Sequence, residues 1–242
     1  MANHYFRFKQ FTVHQEACAM KVCTDACLQG AYTAAFLQTN KPVIQRILDI
    51  GTGTGLLSLM MAQQLPDAAI TGIELDAAAA GQTKANFTAS PWSDRLQVIE
   101  TDAREMAADG QYDFIITNPP FYESDLKSSN HLRNQAMHAT TLDYSDLLKV
   151  IDRQLKAEGA FSVLLPYRPF GDFISMAGAA GFYLQEVLHV KQSERHEYFR
   201  SIGIFSRQQN EPKVESMAIR AADQNAYTPA FVSLLQPYYL YL

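Results

Sequence analysis

Short apolar runs alternate with longer stretches of helical spacing along most of the chain after residue 43. The runs have the length and the β-branched content of buried strands, and they lie at 46–50, 69–75, 96–101, 112–117, 160–165, 184–190 and 199–206. The stretches between them with lengths and spacings suited to helices are 56–64, 77–88, 144–155 and 170–180. This alternation predicts an α/β fold, with a mixed, mostly parallel sheet of seven strands and helices on both faces.

The C-terminal part of the pattern departs from this alternation. The last two predicted strands are joined by a short polar connection, residues 191–198, which predicts an antiparallel strand at one edge of the sheet. Residues 214–219 can add a further short strand. Residues 229–241 form an aromatic segment whose packing the sequence leaves open.

A different pattern precedes the alternation. Apolar side chains within residues 6–13 predict a short β-hairpin. Residues 24–38 predict a helix that is rich in small side chains and begins at a capping residue. We therefore expect an N-terminal hairpin and helix, residues 1–42, that cover the site end of the sheet, followed by a single globular unit, residues 43–242.

Composition and charge limit the classes of function. Of the 242 residues, 48% are apolar, which is enough for a sizeable core. No run reaches the roughly 18 apolar residues of a membrane span, and no signal peptide is evident, so we expect a cytoplasmic protein. The net charge of -5 argues against a uniformly basic, DNA-binding surface. Two local basic segments, residues 127–138 and 191–207, are candidate contacts for phosphates.

The three cysteines are Cys18, Cys23 and Cys27. They do not form a C-x-x-C pair, and no histidine lies nearby at zinc-finger spacing. A zinc site would need a further ligand, for which His14 is the candidate. We predict reduced thiols and no bound metal.

A glycine-rich turn joins the strand at 46–50 to the following helix, with the sequence Gly51-Thr52-Gly53-Thr54-Gly55. Glycines let a backbone approach a ligand closely, and a helix N-terminus offers free N–H groups. Glu74 ends the next strand, at roughly the 20-residue separation at which doubly wound folds place a carboxylate on a ribose. Asp102 follows the third strand, where it can accept an N–H of an adenine. These strand ends share one edge of the sheet, which predicts a nucleoside site. A tight structural turn is the alternative.

The spacing of the turn separates two cofactor classes. NAD-binding folds need G-x-G-x-x-G, whereas the last interval here is shorter. Preceded by Asp49, the turn resembles that of the Rossmann-like class I methyltransferases, which bind S-adenosylmethionine. The resemblance implies that Asp49 and the glycines face the methionine part and that Glu74 holds the ribose. It extends the predicted cofactor site to Leu75, Asp102, Ala103 and Asn118.

The fourth strand ends in a motif of unusual composition, Asn118-Pro119-Pro120-Phe121. It looks like the [Asn/Asp/Ser]-Pro-Pro-aromatic motif of methyltransferases that modify a planar nitrogen. Such a nitrogen is a poor nucleophile because its lone pair is delocalised. The Asn118 side-chain oxygen can accept one N–H and the Pro119 carbonyl the other, while the prolines stiffen the loop. Phe121 offers a face for stacking, so we predict Asn118, Pro119 and Phe121 as catalytic residues.

The motif leaves the substrate open. The candidates are an adenine in RNA or DNA, the 2-amino group of guanine in ribosomal RNA, and a glutamine side chain in a release factor. A non-catalytic nucleotide-binding module is a rival from another class, because it would bind the cofactor without needing Asn118. A rigid turn that only ends the strand is the purely structural alternative.

Segments spread over most of the chain resemble the bacterial tRNA(Val) adenine N6-methyltransferases. They lie at 11–13, 19–25, 48–57, 90–92, 140–143, 219–220, 223–225 and 238–240. The resemblance implies N6-methylation of the adenine 3′ of the anticodon, position 37, in tRNA(Val). It also implies a cofactor cover that includes Lys21, Thr24 and Asp25. Cys23 stands where the family has glycine, and Met137 where it often has arginine.

The same resemblance implies contacts with tRNA near the Asn-Pro-Pro-Phe motif. The target adenine must leave its stack to reach Phe121, and a base in a loop is inexpensive to extrude. The predicted substrate contacts are Pro120, Tyr122, Lys127, Arg133, Lys191, Arg195 and Arg200. We expect a monomer whose partner is tRNA.

Overall fold

The structure, a computed structural model, describes residues 3–40, 43–107, 111–120, 142–223 and 225–242. Its strands are β1 Tyr5–Arg7, β2 Thr12–His14, β3 Arg46–Ile50, β4 Ala69–Glu74, β5 Leu96–Glu100, β6 Tyr112–Thr117, β7 Leu155–Pro166, β8 Tyr183–Ser193, β9 Tyr198–Ser206 and β10 Lys213–Arg220. Its helices are α1 Thr24–Asn40, α2 Leu56–Gln64, α3 Ala77–Thr88, α4 Tyr144–Gln154, α5 Phe170–Ala179 and α6 Pro229–Leu235, with a 3-10 turn at Ala103–Glu105.

Strands β3 to β10 form one sheet in the order β10-β8-β9-β7-β6-β3-β4-β5. β3 lies inside it and pairs in parallel with β4 on one side and β6 on the other. The chain places β4 and β5 on one side of β3 and the later strands on the other side. The strand order therefore reverses between β3 and β6. In open α/β sheets, ligands bind at such a reversal, beyond the carboxyl ends of the strands.

The expected mixed, mostly parallel sheet is confirmed, and so is the further strand expected at 214–219, which makes eight strands instead of seven, but the antiparallel strand does not lie at the edge. β10 adds an eighth strand, which pairs in parallel with β8 at the edge. The antiparallel strand is β9, and it lies inside the sheet between β7 and β8. Adjacency in sequence predicts that β8 and β9 pair, but it does not say which of them faces the rest of the sheet. Because β9 faces inward, the open edge of β8 is left for β10.

β7 begins earlier than its apolar run predicts. α4 passes directly into the strand at Leu155, and the pairing with β6 is irregular between Tyr112 and Phe114. A Cβ on Gly159 would lie 2.6 Å from the Leu155 side chain, so a glycine is needed where the strand bends back over its own start. Lys156 and Glu158 interrupt the apolar run, so the sequence pattern does not predict this part of the strand.

The sheet separates two apolar cores. Neighbouring strand residues alternate between them: Ile47 and Ile116 belong to the core under α1, α2 and α6, whereas Leu48 and Ile115 belong to the core under α4 and α5. Side-chain caps set several helix starts. Asp143 accepts a 2.7 Å hydrogen bond from the backbone N–H of Asp146 at the start of α4.

The C-terminal aromatic segment packs against the N-terminal hairpin. The backbone N–H of Lys9 donates to the Tyr238 carbonyl at 2.8 Å, and Phe8 and Tyr239 form an isolated β-bridge. The Phe8 and Phe11 rings stack with centroids 4.5 Å apart. In the part of the chain that the structure describes, no helix is long and apolar enough to cross a membrane. The division of the chain at residue 42 stays a prediction.

Candidate functional site

A cavity of about 740 Å³ opens at the carboxyl ends of β3, β4 and β6, beside the strand reversal. Predicted site residues from separate parts of the sequence line it together. They are Gly51, Gly53, Glu74, Leu75, Asp102, Ala103, Asn118, Pro119 and Pro120. The wall also includes residues outside the predicted set, among them Met20, Arg104 and Leu142.

The glycine turn wraps closely around the end of β4. Gly51, Gly53 and Gly55 all have positive φ, at 70°, 57° and 80°, which other residues rarely adopt. The backbone N–H of Gly53 donates to Oε2 of Glu74 at 2.9 Å, and the N–H of Asp76 donates to Oε1 of the same carboxylate at 3.0 Å. Glu74 therefore fastens the turn to β4. A carboxylate has about four acceptor positions, so both oxygens can still accept a ligand hydroxyl.

Gly55 does not line the cavity. A Cβ at this position would lie 2.6 Å from Cε1 of Phe87 and 3.1 Å from Cγ2 of Thr83, both on α3. The third glycine of the turn therefore allows α2 to start in close contact with α3. Gly55 therefore affects the site only by allowing the turn to lie in this position.

Asp49 lies beneath the turn, outside the cavity wall. Its Oδ2 accepts hydrogen bonds from the Thr52 hydroxyl at 2.8 Å and the Ser58 hydroxyl at 2.7 Å. Its Oδ1 is buried and has no hydrogen-bond partner within the described residues. Burial raises the pKa of Asp49 to about 6, because the protein interior disfavours the charged form more than the two hydroxyls favour it.

Asp49 should make stability depend on pH. Its pKa is raised from 3.8 to about 6 on folding. The stabilisation that this carboxyl group contributes to the folded state is therefore fully present below pH 3.8 and is lost as the pH rises through about 6. We expect the free energy of unfolding of Asp49→Asn, relative to that of the parent, to rise by about 3 kcal/mol between about pH 4 and about pH 8. Urea unfolding of both proteins across this range measures the difference.

The matched control is Asp67→Asn, because Asp67 is exposed. Its stability relative to the parent should stay within about 0.5 kcal/mol across the same range. A flat difference for Asp49→Asn as well would show that this carboxyl group does not change its affinity for protons on folding.

Asp102 and Arg104 form an ion pair in the cavity wall. The Arg104 guanidinium donates to both carboxylate oxygens at 2.6 to 3.1 Å, and its backbone N–H also donates to Oδ1 at 2.8 Å. The hydrogen bond from the Arg104 side chain lowers the pKa of Asp102. The carboxylate is therefore held in its charged, accepting form, which suits an N–H donor of a ligand.

The Asn-Pro-Pro corner is anchored at the strand that precedes it. The Thr117 hydroxyl donates to the Ile50 carbonyl at 3.0 Å, and the Gln29 side chain donates to the Thr117 carbonyl at 2.8 Å. Oδ1 of Asn118 is buried and has no hydrogen-bond partner in the described part of the chain. Pro119 is buried and Pro120 is exposed. The corner thus holds an unused acceptor in a fixed place on the cavity wall.

Gln29 belongs to a buried polar group that the sequence pattern does not single out. Its amide nitrogen lies 3.4 Å from the Ser162 hydroxyl, to which the Thr33 hydroxyl donates at 2.9 Å. All three side chains are fully buried. Gln29 and Thr33 are four residues apart on α1, so they share one face of the helix. This spacing could have indicated a polar pair on one face of α1, but it does not reveal that Gln29 binds the end of β6.

Residues 16–20, between the N-terminal hairpin and α1, line the cavity, and they come just before the predicted Lys21, Thr24 and Asp25. The Cys18 thiol lies 3.5 Å from the Gly53 carbonyl. Lys21 donates to the backbone carbonyls of Gln15 and Cys18. Neither Lys21 nor Thr24 lines the cavity. All three cysteines are free thiols.

The sequence predicts a cofactor contact for Asp25 and an RNA contact for Arg200, and the structure brings these two side chains into contact with each other. Nε of Arg200 donates to Oδ2 of Asp25 at 2.8 Å, and both side chains are largely buried. A pair of this kind ties the start of α1 to β9. Neither residue lines the cavity.

The remaining predicted residues divide into two groups. Lys191 and Arg195 lie at the end of β8 and on the connection that follows, away from the cavity wall. Phe121, Tyr122, Lys127, Arg133 and Met137 lie outside the described residues. Among the residues that are described, no cluster of three or more His, Cys, Asp or Glu side chains is arranged to hold a metal ion.

Comparisons with known proteins agree on one kind of enzyme. Residues 31–184 match the family described as methyltransferase small domain. The tRNA1(Val) (adenine(37)-N6)-methyltransferase of Dyadobacter fermentans is 42% identical over 241 residues, which cover 98% of each chain. The enzyme of the same name from Bacteroides thetaiotaomicron is 37% identical over 243 residues, the full length of both chains.

A solved structure supports the fold. A predicted O-methyltransferase from Agrobacterium tumefaciens superposes with a TM-score of 0.66, covering 88% of this chain and 96% of its own. Its sequence identity is 17%, so it informs the fold alone. The predicted Rossmann-like class I methyltransferase architecture is confirmed.

Proposed function

The chain belongs to the methyltransferase small domain family and, within it, to the family of the tRNA1(Val) (adenine(37)-N6)-methyltransferases, and we propose that it methylates N6 of adenine 37 in tRNA1(Val). The methyl donor is S-adenosylmethionine. The observation that carries the proposal is Oδ1 of Asn118, which is buried on the wall of the nucleoside-sized cavity and has no hydrogen-bond partner among the described residues.

The cavity fits this cofactor in size and in chemistry. Its volume of about 740 Å³ lies within the range of roughly 300–1,000 Å³ typical of small-molecule sites. A Cβ on Gly51 would meet nothing within 4 Å, so the turn faces open space there. Glu74 would accept the ribose hydroxyls and Asp102 the adenine amine. When bound, the cofactor supplies an electrophilic methyl group on a sulfonium.

The Asn-Pro-Pro corner holds the nitrogen that is methylated. An adenine N6 amine has two N–H donors, for which Oδ1 of Asn118 and the Pro119 carbonyl provide acceptors. With both hydrogens held, the lone pair is drawn out of the ring and given a fixed direction, so positioning takes the place of a strong base. The surplus proton leaves to water. The stacking of the substrate ring on Phe121 stays a prediction.

We further propose a cover for the cofactor site, contacts with the RNA, an oligomeric state and a location for the enzyme. Residues 1–42 act as a cover, since residues 16–20 line the cavity. Lys191 and Arg195 contact phosphates of the RNA. We also propose that the protein acts as a monomer in the cytoplasm, where its tRNA substrate is found.

Transfer of tritiated methyl groups tests the substrate. With the purified protein we expect incorporation into total tRNA and none above background into total DNA or a release factor. Nuclease digestion and mass spectrometry should place N6-methyladenine at position 37 of tRNA1(Val). The matched control is a tRNA1(Val) transcript with guanine at position 37, which should remain unmethylated. Equal methylation of the control transcript, or transfer to the release factor alone, would refute the proposal.

A further inference from the structure

Three aromatic rings meet at the edge of the sheet that carries the Asn-Pro-Pro corner. The Tyr167 ring centroid lies 5.0 Å from that of His189 and 5.0 Å from that of Tyr198, and the His189 and Tyr198 centroids are 5.4 Å apart. The His189 ring is fixed from below, since its Nδ1 lies 2.8 Å from the buried Ser201 hydroxyl. We name these three residues the aromatic triad.

The register of the strands places the aromatic triad beyond the end of β7. β7 runs parallel to β6, with Val163 opposite Thr117, so Asn118 and Tyr167 both follow the carboxyl ends of neighbouring strands. The backbone N–H of Tyr167 donates to the Phe199 carbonyl at 3.1 Å, which fixes the turn where it leaves the strand. The aromatic triad therefore lies on the same sheet edge as the proposed methylation site, displaced by one strand.

One ring of the aromatic triad, that of Tyr167, is exposed, and the other two are half-buried. Tyr167 is 38% exposed, although residues 159–165 of β7 before it are all buried. A ring of this size in contact with two others gains from burial, so its exposure at the rim of a site suggests a ligand with a flat, apolar face.

The surrounding charges suit an unpaired base whose flanking phosphates lie close by. Nζ of Lys191 lies 4.7 Å from the centroid of the Tyr198 ring, and Arg168 is exposed next to Tyr167. On the connection between β8 and β9, Arg195 adds to this positive charge, and Glu194 and Glu197 offset part of it. Stacked rings beside a modest positive charge are suited to the π-face of an unpaired base and to the phosphates that flank it.

We propose that the aromatic triad is a stacking platform for an unpaired base of the RNA, next to the adenine that enters the cavity. This inference rests on the proposed function. Extruding one base from a loop unstacks its neighbour, and a protein surface that stacks the neighbour stabilises the opened loop. Tyr167 provides the accessible ring, while His189 and Tyr198 hold its orientation.

Kinetics of paired variants test the platform. Tyr167→Ala removes the ring, whereas Tyr167→Phe keeps it and loses only the hydroxyl. With tRNA as substrate we expect Tyr167→Ala to raise KM by roughly 5- to 150-fold, the equivalent of one base stack, with kcat nearly unchanged. Tyr167→Phe should stay within about 2-fold of the parent. A control at a distant exposed ring is Tyr241→Ala, at a residue that is 89% exposed. Thermal unfolding of each variant confirms that it is folded.

Photocrosslinking gives a readout that does not depend on methyl transfer. An anticodon stem-loop with 5-iodouridine beside the target adenine should crosslink to Tyr167 or Tyr198 in the parent and lose the Tyr167 crosslink in Tyr167→Ala. A KM for Tyr167→Ala within about 2-fold of the parent, or crosslinks that map only elsewhere, would overturn the platform. A parent protein that crosslinks at Tyr167 but methylates no tRNA would instead refute the proposed function, so the two failures are distinguishable.

Discussion

Replacing Asn118 by alanine is expected to slow methyl transfer by roughly 100- to 1,000-fold while leaving the affinity for S-adenosylmethionine nearly unchanged. The variant loses the side-chain oxygen that is buried without a hydrogen-bond partner among the described residues. Removing one preorganised group that stabilises a transition state costs roughly 100- to 1,000-fold in rate. Single-turnover transfer to tRNA1(Val) measures the loss, and isothermal titration measures cofactor affinity.

Asn118→Asp is the matched variant for this test, because a carboxylate keeps an acceptor oxygen in the same place. We expect its rate to lie between those of the parent and Asn118→Ala. Within the described residues neither variant loses a hydrogen bond to Oδ1, and thermal unfolding of both variants checks that they are folded. An Asn118→Ala protein as active as the parent would refute the role of the corner as a substrate clamp.

Gly55→Ala should destabilise the protein by roughly 2–5 kcal/mol and weaken cofactor binding at the same time. The added Cβ would lie 2.6 Å from Cε1 of Phe87, at a residue with φ of +80°. A left-handed conformation costs a residue with a Cβ about 1–2 kcal/mol, and overpacking adds about 1–3 kcal/mol. The turn must move to relieve the contact, and this displaces Gly51 and Gly53 on the cavity wall. Urea unfolding and isothermal titration measure the two effects.

Gly81→Ala is the control for this prediction. Gly81 lies in α3, is exposed, and would place its Cβ in open space. Alanine is the better helix former by about 1 kcal/mol, so this variant should gain stability and keep its cofactor affinity. If the two alanine variants behave alike, the close packing of α2 against α3 does not position the turn.

Local patterns predict the central part of the fold well. The expected bounds of β3, β6, α2 and α3 agree with the structure. In each of these elements the signal is contained in neighbouring residues: a run of apolar side chains for the strands, and a glycine or Asp76 before the helix. The convergence of Glu74, Asp102 and Asn118 on one cavity then follows from the shared edge of parallel strands.

Contacts between distant segments could not be predicted in the same way. Asp25 and Arg200 are 175 residues apart in sequence. Each is a charged residue of a type that often binds a ligand, so the sequence alone does not show that they pair with each other. The inward orientation of β9 depends on its pairing with β7, which no local pattern encodes. The link from Gln29 to the Thr117 carbonyl likewise appears only when α1 is packed on the sheet.

The N-terminal hairpin is attached to two parts of the chain that are synthesised at very different times. The Asn86 side chain holds the backbone of His14 with hydrogen bonds of 3.0 and 2.8 Å, whereas Lys9 and Phe8 attach to Tyr238 and Tyr239. On the ribosome the first attachment can form early, but the second must wait until Tyr238 and Tyr239 have been synthesised. A nascent chain that lacks these two residues therefore has an N-terminal hairpin beside its cofactor cavity that is attached at only one of the two places.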